Sequence, residues 1–290
     1  MPTSPVFDEF VIAGDLTFHY AQWGEQGPPL ICVHGLTANA YCFQALADRL
    51  SQHYRVFAYD LRGRGDSDKP EGGYDISTHA ADLAEIIDAL ELDRPVVIGH
   101  SLGAMIGVYF AASYPEKLSK LVLIDGGGEL PWGTIADQPA WLTASIARLG
   151  VPINSYEEFI NRLKVAPFLG SCWNEYLDIY FAHDLFQQPD GSLIPKGYLV
   201  GINADQSSLE EEWQPYKLYP SIQAPTLLLR AGQSMLVPND QLIPEEEATS
   251  MQQSIKSCRY VNYPDLNHYT IAFGVDSSVT LVIEEFVKEA

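Results

Sequence analysis

Residues 95–112 place a serine and two glycines between two apolar stretches. Residues 95–98 are rich in β-branched side chains, as expected of a buried strand, and residues 104–112 are apolar over the length of a buried helix. Between them, residues 99–103 read Gly-His-Ser-Leu-Gly, a G-x-S-x-G pattern. On its own this pattern also fits an ordinary turn. In this context it predicts a strained strand-to-helix turn that presents the Ser101 hydroxyl, with glycine at the flanking positions to avoid steric clashes.

The same alternation of short apolar runs and helical segments extends over most of the chain. Strands are predicted near residues 8–12, 16–23, 29–33, 54–59, 95–99, 120–125, 225–230 and 259–263. Helices are predicted near residues 40–50, 77–91, 102–114, 239–253 and 276–289. Alternating strands and helices are typical of a sheet whose neighbouring strands run parallel. We therefore predict the α/β class, with a mostly parallel central sheet and helices on both faces.

Residues 129–220 interrupt this alternation. Strand signals are absent there, and the segment has a helical pattern broken by prolines. Four of the five tryptophans lie inside it: Trp132, Trp141, Trp173 and Trp213. We predict a core domain formed by residues 1–128 and 221–290, and a helical cap formed by residues 129–220 that covers an apolar site. The alternative is a small packed subdomain with no role at the site.

The composition narrows the classes of partner. The formal net charge of −21 argues against binding to nucleic acid or anionic membrane surfaces, because both need a basic surface. No uncharged run approaches the ~18 residues that span a bilayer, and the first residues lack the features of a signal peptide. We therefore expect a cytoplasmic protein that acts on a small molecule, with its oligomeric state left open. The four cysteines lack metal-ligand spacing, so we expect reduced thiols, no metal and no cofactor.

Two further motifs precede the pentapeptide. His34-Gly35 follows the apolar residues 30–33, and residues 60–67 read Asp-Leu-Arg-Gly-Arg-Gly-Asp-Ser. With these motifs in this order, the chain resembles members of the α/β-hydrolase fold superfamily. The resemblance covers nearly the whole chain outside residues 129–220. It implies the α/β-hydrolase fold, a serine nucleophile, and a chain order of nucleophile, acid and histidine.

Seven histidines compete for the role of base to Ser101. A serine hydroxyl needs a base to accept its proton and a carboxylate to orient that base. His268 stands alone near the end of the chain and follows the last predicted strand, where the resemblance places the base. We predict that Ser101 is the nucleophile and that His268 is its general base.

The position of the catalytic acid differs from the commonest pattern of the family. Many members carry an aspartate after the penultimate strand, in a segment where this chain has Ser234. A serine cannot balance the charge of an imidazolium, so the carboxylate must come from another strand end. Asp125 ends a predicted strand and lies between the nucleophile and the histidine in sequence, which makes it the predicted acid. Asp240 is the alternative.

Acyl transfer also needs N–H donors aimed at the developing oxyanion. The backbone N–H of Leu102 follows the nucleophile at a predicted helix N-terminus, whose dipole favours negative charge. The resemblance implies that Leu36 supplies the second N–H. Four aromatic residues are candidates for the substrate pocket: Trp132, Trp141, Trp173 and Tyr269.

Two arginines and two aspartates stand in the glycine-rich loop at residues 60–67. The resemblance implies that this loop is a structural turn at the edge of the active site. The alternative is that Arg62, Arg64 and Asp66 clamp an anionic substrate.

Together these residues predict a cofactor-independent, carboxylesterase-like serine hydrolase. Its substrate would be a carboxylic ester, lactone or thioester of small to medium size and apolar character, cleaved through an acyl-enzyme. Dehalogenases and epoxide hydrolases of the same fold use an aspartate nucleophile where this chain has Ser101, which argues against both reactions. Carbon–carbon bond hydrolysis of a diketone uses the same three residue types and is one alternative. A ligand receptor on the same fold is another.

Overall fold

Within residues 2–289, which the computed structural model describes, a mostly parallel sheet of eight strands forms the centre of the molecule. The strands of the chain are β1 (Phe7–Ala13), β2 (Leu16–Trp23), β3 (Pro29–Val33), β4 (Arg55–Tyr59), β5 (Val96–His100), β6 (Lys120–Ile124), β7 (Leu185–Gln187), β8 (Leu193–Pro195), β9 (Thr226–Ala231) and β10 (Cys258–Tyr263). The order across the sheet is β1-β2-β4-β3-β5-β6-β9-β10, and β7 pairs with β8 separately. The pairs β1–β2 and β2–β4 are antiparallel, and the other neighbours in the sheet are parallel.

Helices cover both faces of this sheet. They are α1 (Gln44–Leu50), α2 (Ile76–Ala89), α3 (Leu102–Ser113), α4 (Ala140–Ala147), α5 (Tyr156–Lys164), α6 (Glu175–His183), α7 (Leu199–Glu212), α8 (Glu245–Ser254) and α9 (Ser277–Lys288). Short 3-10 turns occupy Ala40–Phe43, Pro115–Lys117, Ile135–Asp137, Gly170–Cys172, Pro215–Lys217 and Tyr219–Ser221. Side chains cap several helices; Asp75, for example, accepts the N–H of Thr78 at the start of α2. No helix of the described residues reaches the length and hydropathy of a membrane span.

Alternate side chains of the central strands point to opposite faces of the sheet, and both faces are buried. Ile31 and Val33 of β3 pack into one apolar cluster with α2 and α3, whereas Leu30 and Cys32 pack into a second cluster with α1 and α9. Strands that are buried on both faces are apolar throughout, which explains the continuous apolar runs in the sequence. The predicted α/β class with a mostly parallel central sheet is confirmed.

The carboxyl ends of the central parallel strands meet at one edge of the sheet. Val33 is in register with Gly99, His100 with Ile124, and Ile124 with Leu229. The loops that leave β3, β5, β6 and β9 therefore start side by side. In open α/β sheets this edge is where ligand sites are built.

Residues 129–220 leave the sheet after β6 and return to it at β9. The segment contains α4 to α7, in keeping with its helical pattern, and also the antiparallel pair β7–β8, which the sequence did not predict. Each of these strands has three residues, too few for an alternating pattern, and the turn between them closes with the Gln188 N–H donating to the Ser192 carbonyl at 2.8 Å. Buried side chains of the segment join both clusters on the sheet faces, Ile202 the first and Phe159 the second.

One helix starts later than predicted. The pattern indicated a helix over residues 239–253, whereas α8 begins at Glu245, directly after Pro244. Asn239 has a φ of 65°, outside the helical region, and Pro244 disfavours helical backbone at the residue before it.

Candidate active site

Ser101 lies on a sharp turn between the end of β5 and the start of α3. Its backbone has φ 58° and ψ −120°, a strained conformation for a residue other than glycine. A side chain at Gly99 would overlap the carbonyl of Gly103, and a side chain at Gly103 would overlap the carbonyl of Val33. Glycine at both positions is therefore a steric requirement of the turn. The turn leaves the Ser101 side chain on the wall of a cavity.

Three side chains singled out from the sequence form one hydrogen-bonded chain. Nε2 of His268 is 3.0 Å from Oγ of Ser101, and Nδ1 of His268 is 2.7 Å from Oδ2 of Asp125. The exposed fraction is 1% for Asp125 and 5% for His268, so the contact between them is shielded from bulk water. With Nδ1 donating to the carboxylate, Nε2 is left to accept the hydroxyl proton of Ser101.

Asp125 projects from the end of β6 toward the end of β9. Its φ of 41° lies in the left-handed region, and its N–H donates to the Leu229 carbonyl at 2.8 Å. Its second carboxylate oxygen accepts the N–H of Ala231 at 3.0 Å. The next residue, Gly126, has no space for a side chain, which would overlap the carbonyl of Ser101. These contacts hold the carboxylate beside β9, the strand that carries the acid in many members of the resembled family.

Asp240, the alternative acid, has a different set of partners. Its carboxylate accepts the N–H groups of Met235, Leu236 and Val237 at 2.7, 2.8 and 3.0 Å. Ser234 accepts a backbone N–H of the same loop at 3.1 Å. Both side chains order the loop that follows β9, so Asp240 lies in a structural position.

A turn fixes the backbone that carries His268. The Asn267 side chain accepts the N–H groups of Tyr269 and Thr270, both at 3.0 Å. His100 donates from Nε2 to the His268 carbonyl at 2.9 Å, and the two rings stack with 4.7 Å between centroids. Burial, with the adjacent His268 adding to it, lowers the pKa of His100 to about 3, so His100 is a neutral donor. The sequence did not point to this role, because the contact spans 168 residues.

The loop of residues 34–38 follows β3 and reaches the nucleophile. A side chain at Gly35 would lie 3.0 Å from Cβ and 3.4 Å from Oγ of Ser101, so glycine lets the backbone approach closely. His34 anchors this loop, since Nδ1 donates to the Gly35 carbonyl at 2.8 Å and Nε2 accepts the Leu61 N–H at 3.0 Å. Burial lowers the pKa of His34 to about 4, which keeps the ring neutral, as these two bonds require.

A cavity of about 530 Å³ opens over Ser101. Leu36 of the 34–38 loop and Leu102 at the start of α3 lie on its wall beside the serine. Most of the remaining wall comes from residues 129–220. The cavity therefore joins the nucleophile, the two residues predicted to supply N–H donors and the inserted segment.

The four aromatic pocket candidates differ in position. Trp132 and Trp141 line the cavity. Trp173 does not, because its ring packs against the second apolar cluster. Tyr269 lies behind the wall, where its hydroxyl is hydrogen-bonded at 2.5 Å to a serine of α4. Trp213 lines the cavity and was not predicted to do so, since aromatic content alone does not indicate the direction of a side chain.

The charged groups on the cavity wall are acidic. Four glutamates line it: Glu129, Glu210, Glu246 and Glu247. No lysine, arginine or histidine is among the described residues of the wall. Glu247 accepts the N–H of Glu129 at 2.8 Å, and burial raises the pKa of its carboxyl. Such a wall favours an uncharged or cationic group over an anion.

The arginines of the 60–67 loop are buried and paired with aspartates from helices. The guanidinium of Arg62 donates to Asp82 at 2.6 and 2.5 Å, and that of Arg64 donates to Asp205. Neither arginine lines the cavity. With their charges already matched by carboxylates, they take the structural role rather than that of an anion clamp.

Among the described residues, one group of side chains has the spacing of metal ligands: His19, Asp60 and Asp66. Their atoms already have protein partners. The two ring nitrogens of His19 lie 2.7 Å from carboxylates of Asp60 and Asp8, and Asp66 binds Lys196 at 2.5 Å. Burial alone would lower the pKa of His19, but Asp60 and Asp8 outweigh it and raise the pKa to about 9. The group is therefore best described as an ion-pair network.

Comparison with known proteins identifies the family of this chain. The model of one protein family, described as the alpha/beta hydrolase fold, matches residues 28–275. The chain belongs to the alpha/beta hydrolase fold family. The resemblance inferred from the three sequence motifs is thereby confirmed.

Relatives of this alpha/beta hydrolase have names for different reactions. A 2-(acetamidomethylene)succinate hydrolase of Mesorhizobium japonicum is 30% identical over 228 residues, which cover 77% of each chain. Epoxide hydrolase 4 of Mus musculus is 39% identical over 113 residues, 38% of this chain and 32% of that protein. The crystal structure of an E-2-(acetamidomethylene)succinate hydrolase superposes with a TM-score of 0.84 at 24% identity, covering 98% of this chain and 99% of the other. That superposition shows a shared fold.

Proposed function

We propose that this alpha/beta hydrolase is a serine hydrolase that cleaves a carboxylic ester, lactone or thioester without a cofactor. The observation that carries the proposal is the hydrogen-bonded chain from Ser101 through His268 to Asp125. A serine hydroxyl becomes a nucleophile near neutral pH when a base accepts its proton and a carboxylate orients that base. The strained turn at Ser101 and the cavity above it give the hydroxyl access to a substrate.

In the acylation step, Oγ of Ser101 attacks the carbonyl carbon while Nε2 of His268 takes the hydroxyl proton. The Asp125 carboxylate stabilises the imidazolium that forms. Collapse of the tetrahedral intermediate breaks the bond to the leaving alcohol or thiol, which takes the proton from Nε2. In deacylation, Nε2 of the same histidine accepts a proton from water as the water oxygen attacks the acyl carbon. Collapse of the second tetrahedral intermediate breaks the bond to Oγ of Ser101, which takes the proton back from Nε2, and the acid is released.

Two backbone N–H groups are proposed to stabilise the oxyanion, those of Leu36 and Leu102. The N–H of Leu102 lies in the first turn of α3, where N–H groups lack intrahelical partners and the helix dipole favours negative charge. Leu36 lies on the loop of residues 34–38, which approaches Ser101 at Gly35. We call residues 34–38 the oxyanion loop. Removing one such donor from an acyl-transfer enzyme lowers kcat by roughly 10²–10³-fold.

Residues 129–220 act in this proposal as a cap over the site. The Trp141 ring of α4 lies 5.0 Å from the His268 ring, and its indole N–H donates to the Asp240 carbonyl at 3.0 Å. The cavity of about 530 Å³ suits a small to medium substrate. Because glutamates and no basic side chain of the described residues line it, we propose that the substrate is uncharged near the bond that is cleaved.

Single-turnover acylation by p-nitrophenyl butyrate tests the proposal. The wild type should release a burst of p-nitrophenol, and the peptide that contains Ser101 should gain the mass of one butyryl group. Ser101→Ala should abolish both signals, whereas Ser234→Ala, which removes a serine of the neighbouring loop, should retain them. A wild type that shows no burst and releases p-nitrophenol no faster than Ser101→Ala would overturn the proposal and favour the receptor alternative.

Two further compounds separate ester hydrolysis from the alternatives. A 1,3-diketone tests carbon–carbon bond hydrolysis, and 2-(acetamidomethylene)succinate tests the reaction named for the relative from Mesorhizobium japonicum. The second compound carries two carboxylates, which the acidic cavity disfavours. Both should show lower kcat/KM than the butyrate ester. A higher value for either compound would replace the ester assignment.

A further inference from the structure

Two arginines hold successive carbonyl groups of the oxyanion loop. Arg64 donates from Nε to the Leu36 carbonyl, and Arg148 donates from Nη2 to the Thr37 carbonyl, each at 3.0 Å. The exposed fraction of the side chain is 0% for Arg64 and 17% for Arg148. A guanidinium removed from water needs partners for its charge and for its N–H groups. Both arginines therefore stay in place through several fixed contacts.

Each arginine is paired with a buried aspartate of the proposed cap. Nη2 of Arg64 donates to Asp205 of α7, and Nη1 of Arg148 donates to Asp184, which follows α6. Asp205 also lies 2.8 Å from Nε2 of His79 on α2. Burial favours a neutral carboxyl, but the charges of Arg64 and His79 hold the pKa of Asp205 below its ordinary value. Asp184 differs, because burial outweighs the opposing charge of Arg148 and raises the pKa of its carboxyl. The cap thus supplies a carboxyl partner to both arginines that hold the loop.

The cap is seated on the core close to this contact. The Tyr198 N–H, just before α7, donates to the Gly63 carbonyl at 2.7 Å. One turn later, a side chain at Gly201 would lie 2.5 Å from the Tyr74 ring, so glycine lets the helix approach the core. The Arg64 guanidinium lies 5.8 Å from the centre of the same Tyr74 ring. The seat of α7 therefore includes the residue that holds the Leu36 carbonyl.

We propose that the two arginine–aspartate pairs are positioning residues for the Leu36 N–H, so that oxyanion stabilisation depends on how the cap is seated. This inference rests on the proposed function. The Leu36 N–H lies in the same planar peptide unit as the Gly35 carbonyl, which accepts from His34 at 2.8 Å and from the Ala38 N–H at 3.2 Å. The Leu36 and Thr37 carbonyls belong to the next two units, so holding both restricts the Leu36 dihedral angles that link them to this N–H. A misplacement of about 1 Å in a reacting site can cost about 100-fold in rate.

The chain offers a matched control for the two pairs. Arg62 forms a buried pair with Asp82 at 2.6 and 2.5 Å, and its Nη1 donates to the Gly73 carbonyl at 2.9 Å. Asp82→Asn removes an ionic partner of the same kind within the same region of the core. It leaves the donors to the Leu36 and Thr37 carbonyls unchanged.

The test compares Asp205→Asn, Asp184→Asn and Asp82→Asn in the full chain. Readouts are kcat and KM for p-nitrophenyl butyrate, the melting temperature, and inhibition by an alkyl trifluoromethyl ketone, which adds to Ser101 and forms an oxyanion. In Asp205→Asn and Asp184→Asn, kcat should fall about 10- to 100-fold with KM changed less than about 3-fold. The affinity for the ketone should fall in parallel with kcat. Asp82→Asn should lower the melting temperature and leave kcat and ketone affinity within about 2-fold.

Each outcome decides between the inference and its rivals. Folded Asp205→Asn and Asp184→Asn with wild-type kcat and ketone affinity would overturn the positioning role, even where Ser101→Ala has supported the proposed function. Equal losses of kcat and ketone affinity in all three variants would assign the effect to general destabilisation. That result would also overturn the positioning role. If Asp205→Asn does not fold, Arg148→Lys should show the same losses of kcat and ketone affinity. A single ammonium group would then replace the guanidinium that donates to both Asp184 and the Thr37 carbonyl. A wild type without a burst and with no loss of activity in Ser101→Ala would remove the proposed function itself.

Discussion

His268 binds Asp125 through a 2.7 Å hydrogen bond across 143 residues of chain. Asp125 ends β6, and its other carboxylate oxygen accepts the N–H of Ala231 at the end of β9. The two strands are parallel neighbours in the sheet, so a carboxylate at the end of either one reaches the same region. This adjacency explains how the chain places a carboxylate on the histidine although Ser234 stands where many family members carry the acid.

Asp125→Asn should lower kcat for p-nitrophenyl butyrate by about 10³–10⁴-fold, because an amide neither stabilises the imidazolium nor keeps the proton on Nδ1. Asp240→Asn should leave kcat within a few-fold of wild type, since its carboxylate orders a loop through three backbone N–H groups. Steady-state kinetics of both variants, with melting curves to confirm folding, check the expectation. A large loss in Asp240→Asn with activity kept in Asp125→Asn would reverse the assignment.

The fold class and the place of Ser101 at a strand end could be predicted because both depend on local patterns, namely apolar runs and glycine spacing. His268 and Asp125 were predicted with the help of the family resemblance, which implies the chain order and the usual acid segment where this chain has Ser234. The contact of Arg64 with Asp205 could not be predicted in this way. It joins residues 141 positions apart, and such a contact leaves no periodic signal in the sequence.

The directions of the tryptophan side chains in the proposed cap could not be predicted from the sequence either. Trp173 and Trp213 stand in one aromatic segment and look equivalent by composition. The Trp213 indole N–H donates to the Gly128 carbonyl at 2.9 Å, which holds its ring at the cavity wall. The Trp173 ring stacks instead on Phe181, 5.7 Å between centroids. A side chain's direction depends on its hydrogen-bond and packing partners, which become neighbours only in the folded chain.

Gly103→Ala should destabilise the fold and lower kcat. A methyl group there would overlap the Val33 carbonyl, so β3 or the start of α3 must shift, at a cost of about 1–3 kcal/mol in the free energy of unfolding. Urea denaturation and the kcat of the folded protein measure the two effects. Gly72→Ala is the control, because a side chain at this exposed position meets open space, and it should stay within about 0.5 kcal/mol of wild type. Equal stability of the two variants would contradict the steric account.

The acidic cavity wall should make the enzyme discriminate against anionic esters. We expect kcat/KM for p-nitrophenyl butyrate to exceed that for mono-p-nitrophenyl succinate, which has an acyl chain of the same length ending in a carboxylate, by about 10-fold at low ionic strength. Repulsion by Glu129, Glu210, Glu246 and Glu247 is the physical reason. Salt screens such charges, and in 0.5 M NaCl the Debye length is about 4 Å. The ratio of the two kcat/KM values should therefore be smaller in 0.5 M NaCl than at low ionic strength. Parallel kinetics at two salt concentrations measure the effect.

Two double variants distinguish the effect of the charges on the cavity wall from the effect of the protein's net charge. Glu210→Gln with Glu246→Gln removes two charges from the wall and should narrow the butyrate-to-succinate ratio. Glu211→Gln with Glu212→Gln removes two exposed charges of α7 that lie outside the wall, and should leave the ratio within about 2-fold. Equal effects of the two double variants, or a preference for the succinate, would contradict the prediction.

His19 should make the stability of the fold depend on pH in the alkaline range. Burial opposes its charge, but Asp60 and Asp8 raise its pKa from 6.5 to about 9 in the folded state. The folded chain therefore holds this proton more tightly than the unfolded chain does. The stabilisation is complete below pH 6.5 and is lost as the pH rises through about 9. The difference in the free energy of unfolding between wild type and His19→Asn should fall by up to about 3 kcal/mol over this window.

Denaturant titrations of both proteins at several values between pH 6 and 10 measure this difference, and His53→Asn, which changes an exposed histidine, is the control. Burial lowers the pKa of His34 to about 4 and that of His100 to about 3, so in the folded state both rings stay neutral throughout the window. Their contribution to stability changes below pH 6.5. Burial raises the pKa of the Cys32 and Cys258 thiols, which also lowers stability at alkaline pH, but it does so in both proteins, so the difference between them reports His19. A difference between wild type and His19→Asn that stays constant from pH 6.5 to 9.5 would show that the ion pairs with Asp60 and Asp8 add no pH-dependent stability.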